Sequence, residues 1–312
     1  MIAFLFPGQG AQTLGMLDSF VDEPVVQEVL DIAEKTLGKD LLGLMHDGPK
    51  SALDETVNLQ PILLTVSFSL YCLWQEKGFP EPSMLAGHSL GEYSALVASG
   101  SIEFQTALKL VECRAKVMQE AVPDGEMLAI LGLNAQTVAD LCHTVQEKVG
   151  MVEPANFNAP NQIVVAGLRD ACEALVPLVV EKGGKIVHLS MSVPSHCSLL
   201  SKASEVLYGY LQEIEIRPPK IPVWQNRTNE ASFDPAVIRR NLAWQIASPV
   251  RWVELMNQFF QKGANTFVEC GAGSVLTGLG KRINKKAKWL SLATYTQLME
   301  SGQMLKESIY AA

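Results

Sequence analysis

Gly87-His88-Ser89-Leu90-Gly91 sets one serine between two glycines at the G-x-S-x-G spacing of a nucleophile elbow. A serine on so sharp a strand-to-helix turn is held in a strained backbone conformation, and glycines two residues to either side let the neighbouring chain pass. The turn aims the backbone N–H of Leu90 at the oxyanion of a tetrahedral intermediate and puts Ser89 at a helix N-terminus, which favours negative charge. Acyl transfer or ester hydrolysis is the chemistry such a residue performs. It needs a base, and the chain has five histidines. His88 adjoins the serine and is directed away by the elbow, His46 and His143 fall in polar helical surroundings, and His188 lies on a strand. His196, in Ser192-Val193-Pro194-Ser195-His196, is the candidate, the alternative being a solvated loop histidine.

The elements that must position these residues follow from the pattern of apolar and turn-forming residues. Ile2 to Phe6 is a short β-type run ending in Pro7-Gly8-Gln9-Gly10, and Met84 to His88 repeats it before the helical pattern Glu92 to Ala98. Strand, sharp turn and helix are the parts of an α/β sheet. Pro61 to Trp74, interrupted by Thr65, Ser67 and Ser69, reads as a buried helix and falls short of a membrane span. Phe104 to Ala121 is an amphipathic helix, with Leu108, Val111, Ala115 and Met118 at helical spacing, ended by Pro123-Asp124-Gly125. Arg114 on that helix is either a surface arginine pairing with Glu112 or a fork for a substrate carboxylate. Met118 is either core or pocket wall.

Between Glu126 and Ser192 the order becomes strand (Met127 to Leu133), helix (Ala135 to Val149), two strands around Asn158 to Gln162, helix (Arg169 to Lys182) and strand (Lys185 to Leu189). That βαββαβ series is the ferredoxin-like unit, inserted here into a larger α/β body. Residues 126–192 are therefore expected to form a small domain and residues 1–125 with 193–312 a large one. Val223 to Asn226 and Thr266 to Cys270 are further strands of the main sheet, the latter running into Gly271-Ala272-Gly273 and a helix from Ser274.

With 312 residues, 48% hydrophobic and 19% charged, the chain has the composition of a globular enzyme. A net charge of -8 excludes a general nucleic-acid binder. The six cysteines stand singly, with no CxxC pair and no histidines at metal-ligand spacing, so reduced thiols in a cytoplasmic protein and no metal are expected. The start of the chain lacks the features of a signal peptide.

Six strings coincide in order and spacing with one family: FPGQG at Phe6, GHSLGEYSALVASG at Gly87, R-x-x-x-MQE at Arg114, NFNAPNQIVVAG at Asn156, SVPSHCSLL at Ser192 and TGLGKRI at Thr277. The chain resembles the bacterial malonyl-CoA:acyl carrier protein transacylases from about Ile2 to Leu292. The resemblance implies an α/β-hydrolase-like large domain with a ferredoxin-like small one. It implies malonyl transfer from malonyl-CoA to an acyl carrier protein for fatty acid synthesis, with no cofactor, malonyl-CoA being a substrate. It makes Ser89 the acylated nucleophile and His196 its base. This is a dyad in which main-chain groups near Gln245 orient the histidine, and no aspartate between the two residues has the setting of a triad acid. Backbone N–H groups of Gln9 and Leu90 form the oxyanion hole. Arg114 takes the malonyl carboxylate, with Met118 and Gln119 beside it, Asn156 and Asn158 border the acyl cleft, and Ser195 is the small residue typical of malonyl specificity. Two departures stand out: Asp124-Gly125-Glu126-Met127 is a shorter lead into the small domain than the family usually has, and Ala272 replaces a common proline.

An esterase or thioesterase is the competing enzyme class, weakened by Arg114 and the absent triad acid, and a non-catalytic scaffold has no need of these motifs. A malonyltransferase serving a polyketide synthase or malonate decarboxylase shares the same chemistry. Lys281, Arg282, Lys285, Lys286 and Lys288 form a basic cluster in an acidic chain, with Arg239 and Arg240 as a second. Each is either a solvated helix end or a dock for an acidic carrier protein.

Overall fold

The computed structural model describes residues 1–122, 124–189 and 193–310, leaving Pro123 and Ser192 of the strings above outside the described residues. Its main sheet has five parallel strands: β1 (Ile2–Phe6), β2 (Met84–Gly87), β7 (Val223–Trp224), β8 (Thr266–Glu269) and β9 (Lys288–Ser291), in the order β7-β2-β1-β8-β9. Parallel strands are covered on both faces, which is why these segments read as short unbroken apolar runs. Along β1 the two-residue period sends Phe4 and Phe6 into one core and Ala3 and Leu5 into the other. Phe6 is paired with Gly87 and Leu5 with Glu269, so the turns after β1, β2 and β8 open side by side at the carboxyl edge of the sheet, where α/β folds bind ligands.

Beyond that edge lies a second, antiparallel sheet of β3 (Gly125–Leu131), β4 (Val152–Ala159), β5 (Gln162–Leu168) and β6 (Lys185–His188), ordered β4-β5-β3-β6. With the Ala135–Gln146 and Arg169–Glu181 helices this is the βαββαβ series expected from the sequence, its first strand beginning two residues early and its two middle strands much longer than their turn suggested. One face packs on those helices through Leu128, Ile130, Val138, Leu175 and Val179. The other face packs through Met127, Ala129, Val164 and Ala166 against Cys197. The small sheet is tied to the large body by Val250, between the Pro235–Gln245 and Trp252–Gln261 helices, whose N–H donates to Ala155 O at 2.9 Å and whose carbonyl accepts from Phe157 N–H at 2.9 Å.

Two helices complete the setting. The Thr56–Glu76 helix is long and apolar enough to cross a membrane, but its most apolar window is 78% buried within the fold, so it is a core helix. The Phe104–Ala121 helix is capped by the Glu103 carboxylate, which accepts from Gln105 N–H and Thr106 N–H at 3.0 and 2.8 Å. Its buried stripe runs Ala107, Val111, Arg114, Met118, so a charged residue sits in register with the apolar ones.

Candidate active site

Ser89 leaves β2 with φ 53°, a left-handed conformation that a non-glycine residue holds only when its surroundings fix it. A β-carbon on Gly87 would overlap the Gly91 carbonyl, and one on Gly91 would overlap that of Phe6. Gly87 is thus required by the closure of the elbow on itself, and Gly91 by the close passage of the end of β1. The loop after β1 presses on the same turn, where a side chain on Gly8 would meet His88 O at 2.5 Å. Among the described residues, the backbone N–H groups of Gln9 and Leu90 have no recorded hydrogen-bond acceptor. Two adjoining free donors suit an oxyanion.

His196 Nε2 lies 2.7 Å from Ser89 Oγ. Its Nδ1 faces two carbonyls, Gln245 O at 3.0 Å and Ser248 O at 3.3 Å. Carbonyls only accept, so the proton sits on Nδ1 and Nε2 is left to accept from the serine hydroxyl. His196 itself has φ 66°, pinned by its N–H donating to Ile246 O at 2.7 Å. Burial, then the charge of Arg114 and the nearby His88, push its imidazolium down to about 3, so at neutral pH it is the free base. Three other histidines are elsewhere: His46 faces Asp18, His143 faces Glu147 and His188 faces Glu126, all mostly exposed.

Arg114 is fully buried, and Glu112 pairs instead with Lys39 and Lys116, which excludes the surface-arginine reading. Its Nη2 donates to Ser89 Oγ at 3.1 Å and to Gln245 Oε1 at 3.0 Å, and its Nη1 to Gln60 Oε1 at 2.7 Å. The guanidinium lies 5.4 Å from the centre of the Tyr93 ring, and its buried Nε has no partner among the described residues. A buried cation with only neutral partners is poised for an anion. Met118 is buried with its sulfur 3.7 Å from Gln60 Nε2, so it packs the floor beside the arginine. Gln119, expected beside it, is exposed.

Several residues that shape the site were not singled out from the sequence. Gln60 is a lone buried amide ahead of an apolar helical run. Glu92 is fully buried behind the elbow, accepting from Gln245 Nε2 at 2.7 Å, Asn226 N–H at 3.0 Å and Gln225 Nε2 at 3.4 Å. Asn226 Oδ1 in turn accepts from Ser89 N–H at 2.7 Å, and its Nδ2 donates to Gly87 O at 2.7 Å. The signal for Glu92 was a carboxylate placed directly before the apolar run Tyr93 to Ala98; Asn226 had none.

The antiparallel sheet supplies one wall. The β4–β5 ladder skips Ala155 and Asn158, and such bulges re-aim side chains. Asn158 Oδ1 reaches His88 Nε2 at 2.8 Å, beside the serine. Asn156 is buried with its Nδ2 unpartnered among the described residues. Ser195 is buried with its hydroxyl 3.4 Å from Met127 Sδ, which turns it toward the small sheet rather than the serine. Of the basic clusters, Arg239 spends its guanidinium on Leu211 O and Ile214 O, closing a helix end, so that cluster is not a free patch. Lys281, Arg282, Lys285, Lys286 and Lys288 are exposed, and Arg282 Nη1 donates to Gln162 Oε1 at the β4–β5 turn.

This geometry has relatives. The acyl transferase domain family matches residues 3–306. The malonyl CoA-acyl carrier protein transacylase of Haemophilus influenzae is 45% identical over 287 residues, covering 90% of this chain and 91% of its own. The chain belongs to the malonyl-CoA:acyl carrier protein transacylase family. The acyl-carrier-protein S-malonyltransferase structure from Burkholderia pseudomallei superposes with a TM-score of 0.94 at 45% identity, covering 97% of this chain and 99% of that one. A malonyl-transacylase solved with its type II polyketide acyl-carrier protein gives 0.95 at 40% identity over 97% and 99%. The two departures from the transacylase pattern leave the serine and histidine in place. Asp124 is anchored by Arg169 Nε at 2.8 Å, and a side chain on Gly125 would overlap Pro194, two residues before His196. Ala272 is buried.

Proposed function

We propose that this chain is a cytoplasmic acyltransferase that moves malonyl from malonyl-CoA to the phosphopantetheine thiol of an acyl carrier protein through an ester on Ser89, supplying fatty acid synthesis. The observation that carries the reading is a single oxygen, Ser89 Oγ, lying 2.7 Å from His196 Nε2 and 3.1 Å from Arg114 Nη2. Base and carboxylate fork converge on one nucleophile.

In the first half-reaction Ser89 Oγ attacks the thioester carbonyl carbon and its proton passes to His196 Nε2. The carbonyl oxygen becomes an oxyanion held by the N–H groups of Gln9 and Leu90. Collapse breaks the C–S bond, and His196 returns the proton to the departing coenzyme A sulfur. The second half runs in reverse with the carrier thiol, which gives its proton to His196, attacks the ester carbon and frees Ser89. Arg114 holds the malonyl carboxylate throughout. That carboxylate also offsets the guanidinium charge that holds down the basicity of His196, so the correct substrate strengthens the base. Met118, Asn156, Asn158, Ser195 and Gln245 shape the acyl cleft around it. We divide the chain functionally into residues 1–125 with 193–312, which bear the dyad and fork, and 126–192, which form the cleft wall.

The exposed Lys281, Arg282, Lys285 and Lys286 are the docking surface for the acidic carrier protein. Arg282 contacts the hairpin whose Asn158 reaches His88, which supports a position at the cleft rim. A polyketide carrier is the alternative recipient, favoured by the likeness to the transacylase solved with one. Mixed with malonyl-CoA and no carrier protein, the enzyme should release one equivalent of coenzyme A in a burst; continuous release in water would mark a thioesterase instead.

A further inference from the structure

Glu92 is a carboxylate buried where no cation pairs with it. Among the described residues it forms no ion pair; its donors are Gln245 Nε2, Asn226 N–H and Gln225 Nε2, all neutral. Two of these residues, Asn226 and Gln245, hold the elbow itself. Asn226 grips Ser89 N–H and Gly87 O, and Gln245 Nε2 also donates to Ser89 O at 2.9 Å, so both backbone polar groups of the strained serine are held by side chains anchored on this carboxylate. Strained backbone persists only where its surroundings over-determine it.

The network also has a direction. An ionised carboxylate can only accept, and a guanidinium can only donate. Gln245 lies between the two, so its amide has one permitted orientation: Nε2 toward Glu92 and Oε1 toward Arg114 Nη2, 3.0 Å away. Gln225 is fixed in the same way, because its Oε1 accepts from Asn241 Nδ2 at 2.9 Å, which leaves Nε2 for Glu92. We propose that Glu92 is the positioning residue of this site: as an acceptor-only hub it sets the pose of Ser89 and, through Gln245, the aim of the Arg114 fork, and so determines preference for a malonyl over an acetyl group. The acyl part of this inference rests on the malonyl-transfer reading; the effect on Ser89 does not.

Burial raises the Glu92 carboxyl to about 7, opposed by its hydrogen bonds and by Arg114. Arg114, on the Phe104–Ala121 helix, is the cation that acts on it, and Tyr93 is its titratable neighbour on its own helix. Asn241 and Gln245 on the Pro235–Gln245 helix and Gln225 and Asn226 after β7 are neutral. Protonation would turn an acceptor into a donor facing donors. The ionised form is therefore the competent one, and activity should rise with pH through that range.

The test compares parent and Glu92→Gln in two assays from pH 5.5 to 8.5. Phosphonylation of Ser89 by a fluorophosphonate needs no malonyl group. It should rise through an inflection near 7 in the parent, and in Glu92→Gln it should be slower by roughly 10- to 100-fold and lack that inflection, as expected for a displaced nucleophile. Loading from malonyl-CoA should fall further than loading from acetyl-CoA. Equal labelling rates and pH profiles in the two proteins, or an unchanged malonyl-to-acetyl ratio, would overturn the proposal. A parent that labels normally but never loads malonyl-CoA refutes the malonyl reading alone. Should Glu92→Gln not fold, Gln225→Ala, which removes one donor from the carboxylate, should move the parent's inflection upward; an unmoved inflection contradicts the assignment.

Discussion

The floor of the site and its wall are built on different terms. On the floor, Ser89, Glu92, Arg114, Asn226 and Gln245 are joined by short hydrogen bonds in which nearly every amide and charge has one allowed orientation. On the wall, β4 contributes one side-chain bond to the elbow, Asn158 to His88, and beyond it the basic residues stand in solvent. A buried polar network loses heavily when one member is removed, because the rest are left unsatisfied in a low dielectric. Exposed charges act over a distance and are screened by salt. We therefore propose that chemistry and acyl choice belong to the floor, and carrier recruitment to the wall and rim.

The largest effect that would break this division is on the base. His196→Ala should slow malonyl loading by about 10⁴-fold, the upper range for general acid-base help, read by single-turnover release of coenzyme A. The same residue marks stability. Its pKa is lowered to about 3 in the folded state from an ordinary 6.5, so as pH falls through that window the unfolded chain gains a proton that the native one refuses, and stability drops. Glu92, raised to about 7 from 4.5, works in the opposite sense between those values. Melting temperatures measured from pH 7 to 4 should therefore decline less in His196→Ala than in the parent.

Next comes Arg114→Ala, which strips the partner from a buried substrate carboxylate and leaves the thioester chemistry intact. Malonyl loading should fall at least about a hundredfold while acetyl loading is kept, a cost of a few kcal/mol. Equal losses for both acyl groups would move Arg114 from specificity to structure. The smallest effect belongs to the rim. Lys285→Glu with Lys286→Glu should raise KM for carrier protein about threefold to tenfold at low salt, shrinking as salt rises, with malonyl loading unchanged.

The same contrast governs what the sequence disclosed. The elbow was legible because glycine spacing around a serine records a steric demand, and β1, the Phe104–Ala121 helix and the βαββαβ order were legible from apolar period and turn residues. Elimination and position made His196 the candidate base and left a solvated loop histidine open; the family resemblance chose between them. The Glu92 network could not, since Gln225 and Asn226 are ordinary polar residues whose meaning comes from being brought to the elbow across more than a hundred positions of chain, as in the Asn226 bond to Gly87. The strand β4 was read short because Ala155, Asn156 and Asn158 interrupt the alternation where it bulges. Arg239 looked like half of a patch with exposed Arg240 because composition shows charge and not the carbonyls that consume the Arg239 guanidinium.

The central claim is that malonyl resides on Ser89 between the half-reactions. Intact-mass measurement after brief exposure to malonyl-CoA, followed by peptide mapping, tests it most directly. One malonyl group should be found on the peptide bearing Ser89, lost on adding acyl carrier protein and never formed in Ser89→Ala. A malonyl adduct in Ser89→Ala, or one mapping to Cys197 or another residue in the parent, would contradict it.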